Sequence, residues 1–357
     1  MKDFLSEINI QLRTELKKKP NFNINPPTFG KISTDHVFLM DYEEDKWNNL
    51  RIVPNEPMTF DLSCVSFHYA QTIFEGMKAY KSKDGEALLF RPRENAIRFN
   101  KSAERMCMPQ INEDIFVNAI KALVDIERDW IPNEPGTSLY IRPFMMATET
   151  TINLTHPLNF MFCVLLYPVG HLTGTFRPVN IVVEEKYIRA APGGTGSAKC
   201  GGNYAGAMIA NKKAKENGFD QVLWLDINKK YIEEVSAMNV FFVTQDEIIT
   251  PLVSDTILDG ITRKSVIEML RSLNIKVTER NISIEELVKL HEEGMVSEVF
   301  STGTAAAITP VGSITYKGYT MNFNKKMVGD LTNKLYNDLT GIQKGDIKES
   351  WGWVCKV

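Results

Sequence analysis

Between Phe29 and about Tyr167 short apolar runs alternate with turns, and after VGHLTGTFRPVN (169–180) that pattern gives way to another. HVFLMDY, ALLFRP, SLYIRPFM and FMFCVLLYPV read as strands, interrupted by one strong helical segment, ENAIRFNKSAERM (94–106). Past the break, good helix formers at 205–217 stop at Gly218, a natural C-cap. QVLWLD (221–226) and NVFFV (239–243) are short buried strands with YIEEV between them, and TRKSVIEMLRSL and SIEELVKLHEEG read as helices. Ser283, with Glu286 three residues on, makes a capping box for the second. A chain of 357 residues is too long for one comfortable core. The expected organisation is therefore a small α+β unit over 1–168, a linker over 169–184 and a larger mixed α/β unit over 185–357. Residues 1–28, polar and ending in NPPT, predict a helix followed by an extended arm.

Several function classes fall away on composition. The net charge of −3 gives no electrostatic reason to expect a nucleic-acid or membrane partner. No apolar run approaches the ~20 residues a membrane helix needs, and the N-terminus has acidic residues and no apolar h-region, so it does not read as a secretory signal. Cys64, Cys107, Cys163, Cys200 and Cys355 are odd in number and lack CxxC spacing. That argues against a disulfide framework or a metal site and for a reducing compartment, the cytoplasm.

The chemistry concentrates in GGTGSAKCGGNYAG (193–206). A phosphate loop needs glycine directly before its lysine and a hydroxyl directly after. Ala198 and Cys200 occupy those positions, and no apolar strand feeds the loop from upstream. A lysine amid small residues has another use, as the amine that takes an aldehyde cofactor. It is a nucleophile only when neutral, and its ordinary pKa of ~10.4 must then be lowered. Pyridoxal phosphate would further require an anion site for its phosphate, a partner for its ring nitrogen and a hydroxyl near its phenolic oxygen. With the glycines alone, a solvated loop lysine is the simpler reading.

Candidates for these further groups follow downstream. Tyr204 sits where the loop turns into a helix. Glu233 and Glu234 lie between apolar strands, and strand alternation would put them on opposite faces so that only one points inward. Gly260, Ile261 and Thr262 mark a helix N-terminus, which favours a phosphate. STGTAAAITP (301–310), small and hydroxyl-rich, offers backbone donors to a phosphate or carboxylate. Each alone has a plainer reading: a hairpin charge, an N-cap, a turn.

Taken in order and spacing, SAKCGGNYAG, QVLWLD, EEVSAMNVFFV, LDGITRKS and STGTAAAITPV resemble the branched-chain amino-acid aminotransferases. These are fold-type IV pyridoxal-phosphate enzymes, with the two-domain D-amino-acid aminotransferase-like architecture. FGKISTDHVF, LSCVSFHYAQTIFEGMKAY, LLFRPRENAIRFNKSAERMCMP and SLYIRPFM resemble that family's small domain, so the likeness runs from about Phe29 to the C-terminus. It implies a homodimeric transaminase that moves the amino group of L-leucine, L-isoleucine or L-valine to 2-oxoglutarate by a ping-pong cycle.

Residue by residue, the resemblance implies that Lys199 forms the internal aldimine with pyridoxal 5′-phosphate and moves the proton between Cα and C4′. Tyr204 meets the phenolic oxygen, and Glu234 pairs with the pyridine nitrogen. Arg98, Ile261, Thr262 and Thr304 hold the phosphate, with Thr304 and Ala305 also near the substrate carboxylate. The substrate pocket is expected from Phe29, Tyr69, Phe74, Tyr140, Arg142 and Tyr167, Tyr69 coming across a dimer interface. Apolar side chains gain about 1.5–3 kcal/mol each on burial in such a pocket. Some animal relatives carry a redox-active CxxC after the GTA turn; Ala306 and Thr309 stand there in this chain, so no such thiol switch is expected. A D-amino-acid aminotransferase or an aminodeoxychorismate lyase would share Lys199 and Glu234 but differ in the small-domain pocket. A nucleotide-binding regulatory protein built on GGTGSAKC is the alternative from another class.

Overall fold

Ser138–Ala147 and Phe160–Val169, two ten-residue strands, pair antiparallel with Tyr140 opposite Tyr167 and Phe144 opposite Cys163. Strand side chains alternate between faces. Leu139, Ile141, Met145, Phe160, Phe162, Val164 and Leu166 enter one apolar core. The intervening Tyr140, Arg142, Phe144, Leu165 and Tyr167 are left to the opposite face. One sheet face thus builds the main core, while the other divides between a smaller apolar cluster around Met146, Met161 and Cys163 and a pocket.

The computed structural model describes residues 6–22, 29–170, 176–324 and 327–357. In chain order its elements are β1 (Asn9–Ile10), β2 (His36–Glu43), β3 (Lys46–Pro54), α1 (Val65–Tyr69), β4 (Thr72–Phe74), β5 (Met77–Lys81), β6 (Ala87–Phe90), α2 (Pro92–Arg105), α3 (Glu113–Ile126), β7 (Ser138–Ala147) and β8 (Phe160–Val169). They continue with β9 (Val179–Val183), α4 (Gly201–Glu216), β10 (Gln221–Leu225), β11 (Ile232–Val235), β12 (Asn239–Thr244), β13 (Ile248–Thr250) and α5 (Ile261–Ser272). The last are β14 (Val277–Glu279), α6 (Ile284–Glu292), β15 (Val296–Gly303), β16 (Ala307–Tyr316), β17 (Tyr319–Asn322), α7 (Asp330–Gln343) and β18 (Val354–Lys356). No helix among the described residues is long and apolar enough to cross a membrane.

Contacts divide the chain into two compact units. The first takes 1–172 together with 198–201 and 341–357; the second takes 173–197 and 202–340. The first unit's sheet runs β1-β3-β2-β8-β7-β5-β6-β18 with β4 added on β7. Helices α2 and α3 cover the core face, where the rings of Phe38, Phe99, Phe116 and Phe162 meet with centroids 5.2–6.2 Å apart. The second unit's sheet runs β11-β10-β9-β16-β15-β12-β13-β14, with β17 on β16. There Ala207, Ala210 and Ala214 of α4 pack on Val222 and Trp224, small residues letting the helix lie close to the strand. Ile284 and Leu287 of α6 join Leu223, Leu225, Val240 and Phe242 in a separate core.

Several expectations change. The described part of the N-terminal segment contains no helix: Asn9 and Ile10 pair in parallel with Arg51 and Ile52, and NPPT lies outside the described residues. A run as polar as LRTELKKKP has no apolar stripe to bury, so its backbone docks instead, Arg13 N–H on His36 and Lys17 N–H on Asp35. The expected linker over 169–184 contains the inner strand β9, between β10 and β16; its residues 171–175 lie outside the description. The C-terminal boundary moves as well, because β18 returns to pair with β6. Helix α3, unread in the sequence, is capped by Asn112, whose side chain accepts from the N–H groups of Asp114 and Ile115. The Ser283 cap is as expected, accepting from Glu286 N–H at 3.0 Å.

Candidate active site

The lysine segment is held by the first unit. Cys200 bridges to Ile73, Phe74 N–H donates to Lys199 O at 2.9 Å, and Lys199 N–H donates to Ser102 Oγ at 2.9 Å. These backbone bonds aim the side chain without using its amine. Lys199 Nζ lies 4.8 Å from the Phe74 ring centroid.

Next to Phe74 comes a residue the sequence reading passed over. Glu75 is fully buried and takes a two-point ion pair from Arg98, Nε to Oε1 at 2.7 Å and Nη2 to Oε2 at 2.8 Å. Asn95 Nδ2 adds a third bond at 2.8 Å. Burial alone would raise the Glu75 pKa, but the charge and hydrogen bonds of Arg98, the charge of Lys199 and the Asn95 bond hold it below the usual carboxylate value. A planar guanidinium locked this way keeps one orientation. The available signal was a glutamate inside an apolar run, TIFEGM, where a charge is buried only if paired.

Gly76 completes the FEG triplet. A Cβ there would stand 2.3 Å from Tyr140 Oη, so only glycine leaves that phenol its place. Tyr140 Oη accepts from Arg142 Nη2 at 3.1 Å, and the Arg142 guanidinium lies 4.5 Å from the Phe74 ring centroid. Arg142 Nε is buried with no hydrogen-bond partner among the described residues. Burial pushes the Tyr167 phenol up, opposed by the Arg142 charge.

These groups enclose a cavity of about 480 Å3, within the span usual for small-molecule sites. Phe29, Phe74, Tyr140, Arg142 and Tyr167, all expected, line it, joined by Thr72, Phe144 and Leu165. Phe29 closes on Tyr140 edge to face, centroids 5.0 Å apart. Tyr69 is not in the wall of this cavity. It is 43% exposed, with its hydroxyl donating to Ile152 O at 2.6 Å.

The second unit carries the remaining expected residues. Strand alternation predicted that Glu233 and Glu234 face opposite ways, and the structure corrects this. Leu223 pairs with Val235 and Leu225 with Ile232, so β11 has one extra residue against β10, a bulge. Ile232 and Val235 both enter the apolar core, and the two glutamates between them both reach the 254–258 segment. Glu234 Oε1 accepts Leu258 N–H at 2.8 Å while Oε2 stands 3.4 Å from Arg189 Nε. Glu233 Oε1 accepts Thr256 Oγ1–H at 2.5 Å. Gly196 packs against this segment, where a Cβ would meet Thr256 Cα at 2.7 Å. Asn203 secures the adjoining loop by bonds in both directions with Thr195, at the first turn of α4 where Tyr204 stands half-buried.

Ile261 and Thr262 open α5 behind Gly260, an N-cap with no side-chain hydrogen bond. First-turn N–H groups have no acceptor within a helix. Thr304 and Ala305 occupy the three-residue connection between β15 and β16, closed by the Gly303–Ala307 pair. No cluster of potential metal ligands occurs among the described residues.

Residues 72–314 match the amino-transferase class IV family. Branched-chain-amino-acid aminotransferase 2 of Bacillus subtilis (strain 168) is 47% identical, covering 97% of each chain. Branched-chain-amino-acid transaminase 1 of the same strain is 48% identical over 92% of this chain and 94% of its own. Among solved structures, the Escherichia coli branched-chain amino acid aminotransferase superposes with a TM-score of 0.76 at 26% identity, covering 90% of this chain and 98% of that one. The T.th. branched-chain amino acid aminotransferase with pyridoxamine 5′-phosphate does so with a TM-score of 0.73 at 28% identity, covering 88% and 97%. Full-length agreement with these relatives, on the fold just described, means that the chain belongs to the class IV aminotransferases, a pyridoxal-phosphate-dependent family of fold type IV.

Proposed function

We propose that this enzyme transfers the amino group of L-leucine, L-isoleucine or L-valine to 2-oxoglutarate in two alternating half-reactions. The observation that carries the reading is the cavity of the first unit: aromatic and aliphatic walls around the guanidinium of Arg142. The walls suit a branched aliphatic chain, each buried side chain gaining about 1.5–3 kcal/mol. Arg142, whose Nε has no hydrogen-bond partner among the described residues, suits the second carboxylate of 2-oxoglutarate. One pocket thereby serves both substrates.

The residues fit the cofactor that the family uses. A buried carboxylate, Glu234, already anchored by a backbone N–H, suits a protonated ring nitrogen. The uncapped start of α5 and the oriented Arg98 suit a phosphate. Pyridoxal 5′-phosphate, when bound, supplies an aldehyde to carry the amino group and a ring to accept the electron pair left at Cα. Lys199 takes the Cα proton and returns it on the other side of the exchange. Glu234 holds the proton at the ring nitrogen, and Tyr204 donates to the phenolic oxygen. Arg98, Ile261, Thr262 and Thr304 bind the phosphate, while Thr304 and Ala305 receive the substrate carboxylate.

The active form is a cytoplasmic homodimer in this reading. Leu62, Phe67, Tyr69, Ile152, Leu154 and Leu158 are exposed, Leu62 by 86% and Leu154 by 78%. Their two segments are tied together by the Tyr69–Ile152 bond and the Cys64–Thr150 bridge. An apolar surface of this kind marks an association site, and from it Tyr69 would reach a partner's pocket.

A panel of amino donors with 2-oxoglutarate tests the reading. Leucine, isoleucine and valine are expected to turn over and D-alanine is not; turnover of D-alanine alone would overturn the assignment. In the same assay Gly76→Ala is expected to raise KM for the branched donors, because the added methyl displaces Tyr140. Overpacking of this kind costs about 1–3 kcal/mol, read as a lower melting temperature. An unchanged KM would show that the Tyr140 position does not matter.

A further inference from the structure

The bulge in β11 brings a second carboxyl group, Glu233, beside the one assigned to the cofactor. Both side chains are nearly fully buried, Glu233 at 5% and Glu234 at 2% exposure. The cation facing them is Arg189. Its Nε stands 3.4 Å from Glu234 Oε2, an ion-pair distance without a hydrogen bond, and its Nη2 donates to the carbonyls of Gly196 and Thr256. Glu233 takes the Thr256 hydroxyl on Oε1, and its buried Oε2 has no hydrogen-bond partner among the described residues. Ser254 Oγ stands 2.9 Å from Thr256 Oγ1, which lets Ser254 donate to Thr256 and Thr256 to Glu233. The groups facing Glu233 are thus Thr256 from the 251–260 segment, Arg189, Glu234 from its own strand and Asp226 at the end of β10.

Two ionised carboxylates against one guanidinium would leave a net negative charge out of water, an arrangement that drives one of a pair to take up a proton. Geometry decides which. Glu234 has the ion pair and a backbone donor, whereas Glu233 has one hydroxyl, an oxygen without a hydrogen-bond partner among the described residues, and Arg189 only as a charge beyond ion-pair distance. We propose that Glu233 is a positioning residue for Glu234: a neutral carboxylic acid, bonded by Thr256, that leaves the Arg189 charge to Glu234 and so fixes Glu234 as the anion of the pair. The proposal rests on the assignment of Glu234 to the ring nitrogen for its functional meaning. Burial raises the Glu233 pKa, with Thr256 and Arg189 opposing and Glu234 and Asp226 reinforcing, the direction the geometry calls for.

The sign of the stability effect follows. An acid whose pKa is raised on folding costs nothing at low pH and destabilises as pH climbs above its ordinary value of ~4.3. Glu233→Gln keeps the neutral shape and removes that cost. Its holoenzyme should melt higher than wild type at neutral and alkaline pH, the difference vanishing below about pH 4.

Infrared difference spectra of wild-type and Glu233→Gln holoenzyme at neutral pH test the proposal directly. The carbonyl stretch of a protonated carboxylic acid should be present in wild type and lost in the variant. The visible cofactor band and the kcat/KM pH profile at neutral pH should be retained, and the alkaline limb of the profile should move to higher pH. If Glu233→Gln does not fold, Thr256→Val should shift the same infrared band by removing its donor. Absence of the protonated-acid band in wild type, or a displaced cofactor band at neutral pH in Glu233→Gln, overturns the proposal. Glu234→Gln serves as the separate control. If it leaves the cofactor band unaltered while the infrared band is present, the assignment of Glu234 fails and the neutrality of Glu233 stands.

Discussion

Lys199→Ala is expected to lower kcat/KM for leucine by at least about 10²–10⁴-fold, the range contributed by a positioned proton-transfer group. The fold should survive, because Lys199 is fixed by its backbone. The bonds from Lys199 N–H to Ser102 Oγ and from Phe74 N–H to Lys199 O are available to alanine unchanged. Thermal unfolding should therefore stay cooperative, lowered only by the lost Lys199 charge near Glu75 and the lost covalent cofactor anchor, while turnover collapses. Borohydride reduction adds an independent readout: in wild type it should fix the cofactor to the peptide containing Lys199, and in the variant that labelled peptide should be missing. Normal turnover by Lys199→Ala would remove this lysine from the mechanism.

The largest effect on stability is expected at Glu75. Removing one partner of a buried ion pair leaves the other charge uncompensated, at a cost of about 3–5 kcal/mol. Glu75→Ala should lose that amount in urea unfolding, since Arg98 then has its charge buried without the two-point acceptor. Glu75→Gln, which keeps the volume and an acceptor oxygen, should lose less. The pair also gives a pH signature. A carboxyl group held below its ordinary value stabilises the fold fully above ~4.3 and loses that contribution as pH falls through its folded value. Wild type should show this acid limb and Glu75→Gln should not. If Arg98 binds the phosphate, cofactor release from both variants should be faster. An unchanged cofactor off-rate with a large stability loss would reduce Glu75 to a purely structural role.

Glu75 shows what limits a reading from sequence. Local patterns carried β7, β8, β12, α2 and α6 because their burial depends on neighbours within a few residues. Motif chemistry likewise singled out Lys199, the Glu233–Glu234 pair and the α5 N-terminus, and the family resemblance chose Glu234 of the pair. The Glu75–Arg98 pair spans 23 positions and the bond from Lys199 N–H to Ser102 spans 97, separations at which no periodicity operates. The two glutamates of β11 failed for another reason. Alternation holds only in a regular strand, and a bulge, set by the partner strand, reverses it locally.

The sequence by itself determined the kinds of chemistry available: an amine among glycines, paired acids between strands, aromatics at alternate positions and an anion-favouring helix start. These follow from residue type and short spacing. The tertiary structure alone decided which face of β7 and β8 became core and which became cavity. It also placed residues 198–201 on β4 of the first unit and made position 76 one where only glycine leaves room for the Tyr140 phenol. The physical reason is that burial and steric fit are properties of atoms brought together across long loops, and only the folded chain supplies those neighbours.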